Sequence, residues 1–320
     1  MYLKKAKTIV IKIGSSLLIN EQKKIRDKWL DGFVVDIENL LKEKKNIVIV
    51  SSGAIALGCK KLKLNKKNLK LDKSQAVASI GQIELMNLLK KSFNKRKINI
   101  SQILLTLEDT EKRRRAINAK RTLSNLFSLG YVPIVNENDS IATSEIKYGD
   151  NDRLASRVAQ ISNADCLILL SDVDGLYTKN PKLFKNAKLI NKVSEINEDI
   201  EKIATKSVSE HGTGGMKTKI DAARVAQLSG YYMAIANGLV INPINEIKNK
   251  NNCTWFLPKV SKLDARKKWI ISSISPKGEL IIDDGAISAL RNGKSLLAAG
   301  IKKVNGKFYK GDHIKILNKS

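Results

Sequence analysis

The chain has 320 residues, 42% of them hydrophobic, which argues against disorder throughout and is enough for one large domain and a smaller one. Its 58 Lys and Arg against 31 Asp and Glu give a formal net charge of +27, but the basic residues are dispersed and only 5% of residues are aromatic, so a composition bias over solvated surface outweighs a dedicated nucleic-acid face. Cys59, Cys166 and Cys253 are far apart and lack metal-ligand spacing, which argues against a disulfide framework and fits a reducing cytoplasm.

The first predicted strand is "TIVIKI" (8–13). Lys12 interrupts its apolar run, which speaks against a signal peptide or a membrane span. A lysine inside an apolar strand must reach solvent by snorkelling or meet an opposite charge. Beside "GSS" at Gly14, a phosphate ligand is the favoured role. The next run, "NIVIV", ends at Val50 and opens into "SSGAIALG" (51–58). In that glycine turn before a helix, Ser52 and the amides of Gly53 and Ala54 can bind a carboxylate, while Ser51 or Ser52 can also cap the helix. "QILL" precedes Thr106, and "TEKRRRAINAKRTL" (110–123) follows as a basic helix. A solvated face is its ordinary reading, with a subunit contact through Arg113, Arg114 and Arg115 as the alternative.

"VPIV" ends at Val135 and leads into "NENDSIATSEIKYGDND" (136–152). An acidic cluster in a basic chain suits recognition of an ammonium group or the positioning of catalytic lysines. Function is favoured for Asn136, Asp139, Asn151 and Asp152, whereas ordinary loop polarity suffices for Glu137 and Asp150. "CLILL" ends at Leu170, placing Ser171 and Asp172 at a strand end before a turn at Asp174 and Gly175.

"GTGGMKTK" (212–219) then precedes a helical pattern from Met216 to about Leu228. Gly212, Gly214 and Gly215 let backbone N–H groups approach an anion at a helix start, although simple capping competes as an explanation. The stretch is not a Walker loop. Lys219 can follow phosphates inward, and Lys217 is adequately explained as surface charge. "YMAIA" ends at Ala236 before "NG". Beyond about Asn249 come an edge segment, a linker carrying Pro258 and a small β-rich module starting near Ser272. His211 and His313 belong to no defensible triad.

Continuous rather than alternating apolar runs, separated by helical patterns, predict strands buried on both faces of a mostly parallel, doubly wound α/β sheet sandwiched by helices. Five of the six runs end in polar or glycine-rich clusters. Parallel sheets bind ligands beyond the carboxyl ends of their strands, so these clusters outline one site.

Taken together, "VIKIGSSLL", "IVIVSSGAIALG", "VPIVNENDSIATSEIKYGDND", "LLSDVDGLYTKNP" and "GTGGMKTK" resemble, in content and order, the amino-acid kinase family, and within it the branch that phosphorylates the side-chain carboxylate of glutamate. The resemblance implies ATP as phosphoryl donor, accompanied by Mg²⁺ and with no metal held by the protein's own side chains. It implies Lys12 and Lys219 as neutralisers of the transferring group, with Asp152 holding both lysines. Ser52, Gly53, Asn136, Asp139 and Asn151 would serve glutamate. Lys12, Ser171, Asp172, Thr213, Gly214, Gly215, Met216, Lys217, Thr218 and Lys219 would serve the nucleotide. Lys217 departs from the small polar residue expected at its position.

The same resemblance implies a homo-oligomer, a dimer or a tetramer, and raises proline as a feedback inhibitor. The tail resembles the start of a PUA domain, cut short, giving an expected division into 1–258, a linker at 259–271 and a partial module at 272–320. Two rivals stay open at this point. One is a sister kinase acting on N-acetylglutamate, aspartate or a nucleoside monophosphate, against which Asp139 speaks because a free α-ammonium wants a carboxylate. The other is an RNA-binding protein whose kinase-like domain is inactive.

Overall fold

The computed structural model describes residues 2–20, 22, 24–65, 69–141, 151–181, 183–206, 215–250, 252–264, 278–309 and 314–318. Its frame is an eight-stranded sheet. The strands are β1 (Thr8–Ile13), β2 (Asn46–Ser51), β3 (Ile100–Leu105), β4 (Val132–Glu137), β5 (Cys166–Ser171), β6 (Lys192–Val193), β7 (Tyr232–Asn237) and β8 (Cys253–Phe256). They lie side by side in the order β3-β4-β2-β1-β5-β7-β8-β6. Every neighbouring pair is parallel except β7 and β8. From β1 the chain builds outward through β2 and then returns to β1's other side with β5, so the reversal of winding falls at the middle of the sheet.

Both faces are covered, as the unbroken apolar runs require. On one face Ile9, Ile11 and Ile13 join Ile47 and Ile49 beneath helices Asp27–Lys42 and Leu71–Asn94, packing with Phe33, Leu85 and Phe93. On the other face Val10, Val48 and Val50 meet Leu154, Val158 and Ala223 of helices Asn151–Ile161 and Met216–Ser229. Side chains alternate along a strand. Lys12 therefore shares the Val10 face and is directed toward the second pair of helices.

All six predicted runs form strands. Where an edge segment is expected, β8 is instead an interior, fully buried strand with β6 paired on its outer side; the two residues of β6 are too few to show a pattern. Among the described residues, no helix is long and apolar enough to cross a membrane, and all three cysteines are buried and outside any disulfide.

The C-terminal module has its own three-stranded sheet, in which β9 (Gly278–Ile282) lies between β10 (Ile301–Gly306) and β11 (Ile314–Asn318). β10 is antiparallel and β11 parallel to β9. Asp283 caps the helix Asp284–Arg291 by accepting from the Ala286 N–H at 2.9 Å. Among its described residues only Gly278, Leu280 and Ile282 of the strands are buried, and none of the helix is, so its core is thin. Residues 265–277, which include the end of the expected linker and the expected start of this module, lie outside the described residues.

Candidate active site

Because β1, β2, β4, β5 and β7 run parallel, their carboxyl ends bring Gly14, Ser51, Asn136, Ser171 and Asn237 to one edge of the sheet. The centre of that edge is an ion cluster. Asp152 stands in the first turn of helix Asn151–Ile161, directly over the Lys12 face of β1. Its Oδ1 lies 2.6 Å from Lys12 Nζ, and its Oδ2 lies 2.9 Å from Lys219 Nζ. Lys219 comes from the first turn of helix Met216–Ser229, where the Thr218 hydroxyl sits 2.9 Å from the Gly215 carbonyl and 3.2 Å from Asp152 Oδ2.

Asp152 is only 1% exposed. Burial alone would raise its carboxyl pKa, yet the charges of Lys12 and then Lys219, with their hydrogen bonds, outweigh burial and hold it down at about 2. The carboxylate is therefore ionised at any pH near neutrality. Two positive charges are thus fixed around one negative charge at a partly open strand end, with Lys12 still 13% exposed. Such a cluster can accept a further polyanion.

Beside it runs a chain of neutral amides. Asn151 Nδ2 donates to the Ser51 carbonyl, to Ser52 Oγ at 2.9 Å and to Asn136 Oδ1 at 3.0 Å. Asn136 Nδ2 in turn donates to Gln82 Oε1 at 2.7 Å. Gln82 is absent from the sequence-derived set of site residues, and it arrives from helix Leu71–Asn94 rather than from a strand end. A signal for it does exist: Ala78, Gln82, Leu85 and Leu89 recur at helical spacing on one buried face, so a carboxamide interrupts an apolar stripe.

The loop between β2 and the next helix is shaped by glycine. Gly53 adopts φ of +110°, a left-handed conformation that a side chain would strain. It, and neither Ser51 nor Ser52, stands at the N-cap of helix Ala54–Lys61, where no side-chain cap hydrogen bond is made. Instead Ser52 turns to Asn151. The helix itself lies tight against Leu71–Asn94, because a Cβ on Gly81 would fall 1.7 Å from the Ala54 carbonyl oxygen and one on Gly58 would fall 2.1 Å from that of Val77. That close approach sets the position of Gly53 relative to Gln82.

The remaining sequence-derived residues are distributed as follows. Asp139 is half-buried, three residues beyond Asn136. Ser171 Oγ donates to Asp172 Oδ1 at 3.0 Å at the end of β5, with Asp172 exposed. Next to them, Asp174 accepts from Tyr177 Oη at 2.8 Å and from Asn237 Nδ2 at 3.0 Å, tying the ends of β5 and β7 together. Burial and this bond push the Tyr177 hydroxyl up to about 12.

Gly215 precedes the Met216 helix, and among the described residues nothing beyond its chain neighbours lies within 4 Å of where a Cβ would stand. Met216 packs on the core, Lys217 is exposed and Lys219 is buried. Thr213, Gly214, Gly212, His211, Asp150 and His313 lie outside the described residues. Arg115 pairs with Asp109 at 2.7 Å, which accounts for one of the three consecutive arginines.

The pattern of the amino acid kinase family matches residues 7–237, and that of the PUA domain matches residues 278–320. The chain is 76% identical over 320 residues to a glutamate 5-kinase of Pelagibacter ubique, covering 100% of this chain and 87% of that protein. It is 49% identical to a glutamate 5-kinase of Nitrobacter hamburgensis, covering 98% of this chain and 83% of that one. Among solved structures, UMP kinase from Bacillus anthracis superposes with a TM-score of 0.55 at 14% identity, covering 80% of this chain and 97% of that one. Carbamate kinase from Giardia lamblia bound to AMP-PNP does so with a TM-score of 0.56 at 16% identity, covering 80% and 99%. These two likenesses establish the shared fold.

Proposed function

The chain belongs to the amino acid kinase family and, within it, to the glutamate 5-kinases, and from that premise we propose which residues carry the reaction. The reaction moves the γ-phosphoryl group of ATP onto the side-chain carboxylate of L-glutamate, giving L-glutamyl 5-phosphate, the first step of proline biosynthesis.

A side-chain carboxylate with an ordinary pKa of about 4.3 is already a nucleophile at neutral pH. No general base is needed, and the work of the site is in-line placement and the cancellation of spread negative charge. Lys12 and Lys219 perform that cancellation, each touching the transferring phosphoryl group from one side. Asp152 fixes their separation and orientation without meeting the substrate. The bridging of both ammonium groups by this one buried carboxylate is the observation that carries the assignment.

The backbone amides of Thr213, Gly214 and Gly215 and the helix start through Met216, Lys217 and Thr218 hold the ATP phosphates, with Ser171 and Asp172 on the nucleotide's flank. Ser52, the backbone at Gly53, Asn136, Asp139 and Asn151 hold glutamate, Asp139 facing the α-ammonium. The Mg²⁺ of this reading arrives on the ATP phosphates and adds positive charge there. We place the reaction in the cytoplasm.

The test is ADP release measured side by side with L-glutamate, N-acetylglutamate, aspartate and UMP, for the wild type and Lys12→Ala. Turnover is expected with L-glutamate far above the others, and Lys12→Ala should lower kcat by about 10²-fold or more with a small change in KM for glutamate. Wild-type kcat in Lys12→Ala would remove the assigned role.

A further inference from the structure

We propose that Gln82 is a substrate-contacting residue whose Nε2 donates a hydrogen bond to the α-carboxylate of glutamate. The inference rests on the placing of glutamate at Ser52, Asn136 and Asn151, and it begins from the direction in which their hydrogen bonds run. The Ser51 carbonyl is a backbone group and can only accept, so the nitrogen of Asn151 must face it. The same nitrogen faces Asn136 Oδ1, which turns the nitrogen of Asn136 toward Gln82 Oε1. Each amide orientation follows from the one before. The chain therefore terminates in the nitrogen of Gln82.

That terminal nitrogen is buried and has no hydrogen-bond partner, on a residue that is 9% exposed. At the other end of the chain Asn151 Oδ1 is likewise buried without a partner. Unsatisfied interior amide groups are rare in folded proteins because each forfeits its hydration for nothing in return. Here one is a donor and the other an acceptor, the complement of an amino acid's carboxylate and ammonium groups.

Glutamate carries two carboxylates. The side-chain one is the nucleophile and must face the phosphoryl group between Lys12 and Lys219. The α-carboxylate is the one left wanting a donor, and Gln82 supplies it as a neutral group that leaves the lysine cluster undisturbed. Gly81, whose Cα position lies against the Ala54 carbonyl, fixes Gln82 beside the Ser52 loop.

Gln82→Glu isolates the proposal, because a carboxylate at this position still accepts from Asn136 Nδ2 while the donor is lost. Steady-state kinetics should show KM for glutamate raised by about tenfold or more, with KM for ATP changed less than about twofold. The α-carboxylate is probed with 4-aminobutyrate, which is glutamate without that group, as a competitive inhibitor. Its Ki should change little in Gln82→Glu, so the wild-type preference for glutamate over it narrows.

An unchanged KM for glutamate, or an equal loss for both compounds, would overturn the proposal, the second outcome marking a purely structural role. Gln82→Met serves where Gln82→Glu fails to fold and should narrow the same preference; if the preference stays as in the wild type the proposal also fails. Ser52→Ala run in parallel separates the two readings. If it leaves KM for glutamate unaltered the placing of the whole subsite is wrong, whereas a raised KM there with a normal Gln82→Glu rejects Gln82 alone.

Discussion

At the end of the site proposed to meet the phosphoryl group, one carboxylate faces two ammonium groups at 2.6 and 2.9 Å; at the end proposed to meet the amino acid, three carboxamides pass hydrogen bonds along and finish with a donor and an acceptor unused. The charged end is assembled before any ligand arrives, and its geometry is held by Coulomb attraction in a buried setting. The neutral end is assembled only in part, and on the proposed reading it reaches its full set of bonds when the substrate enters. Rate should therefore depend on the first end and affinity on the second.

The strongest test of that division is Asp152→Asn. It leaves the ammonium groups of Lys12 and Lys219 facing a neutral amide in a pocket where Asp152 is 1% exposed. Removing one member of a buried ion cluster costs about 3–5 kcal/mol of stability, which urea unfolding would show as a lower midpoint. Turnover should fall by about 10³-fold, since the lysines lose their common anchor. A normal rate in a folded Asp152→Asn protein would break the comparison.

The pH dependence has a definite sign. The folded pKa of Asp152 is held down at about 2, below the ordinary carboxylate value, so the stability it confers is present above that ordinary value and is lost as pH falls through about 2. It does not titrate near neutrality. The acid limb of kcat/KM should accordingly follow ionisation of the substrate's own carboxylate at about 4.3. A limb near neutrality that persists once the terminal phosphate of ATP, which itself ionises at about 6, is allowed for would point to a general base and contradict the mechanism.

Next in size is Lys219→Ala, expected to lower kcat by about 10²-fold while KM for glutamate stays within about threefold. Affinity and rate then separate as the two ends of the site do.

Gly81→Ala probes what holds the two ends in register. Its Cβ would fall 1.7 Å from the Ala54 carbonyl, so helices Ala54–Lys61 and Leu71–Asn94 must part. Overpacking of this kind costs about 1–3 kcal/mol. It should raise KM for glutamate with little change in KM for ATP, because the displaced elements carry Ser52 and Gln82 and not the lysines.

The same contrast decides what the sequence could reveal. A lysine inside "TIVIKI" or a glycine cluster before a helix stands out because it violates its surroundings, and the strand ends supplied most of the charged and nucleotide-facing candidates. The six apolar runs were legible because burial on both faces forces continuous hydrophobicity. Two-residue β6 is too short to carry a pattern, and Gln82 hides inside a long amphipathic helix, where one carboxamide among Ala78, Leu85 and Leu89 looks incidental until Asn136 is seen against it. That Asp152 bridges Lys12 and Lys219 entered with the family resemblance, because no spacing brings positions so far apart in sequence together. Ser52, read as a candidate cap, is instead a partner of Asn151, since Gly53 stands at the helix start and leaves the serine free to turn away.

The smallest effect expected is that of Lys217→Ala, and its smallness is informative. Lys217 is exposed, while Lys219 two residues on is buried, so the two lysines of "GTGGMKTK" point to different environments. A cation in the first turn of a helix opposes the helix dipole, so its removal should not lower stability. What remains is a long-range attraction for ATP, felt through water and screened by salt. KM for ATP should rise by less than about threefold at low ionic strength and return to the wild-type value at about 0.3 M salt, with kcat unchanged. A salt-independent loss of kcat would instead make Lys217 a third member of the charged end, and the cluster centred on Asp152 would no longer be complete with two lysines.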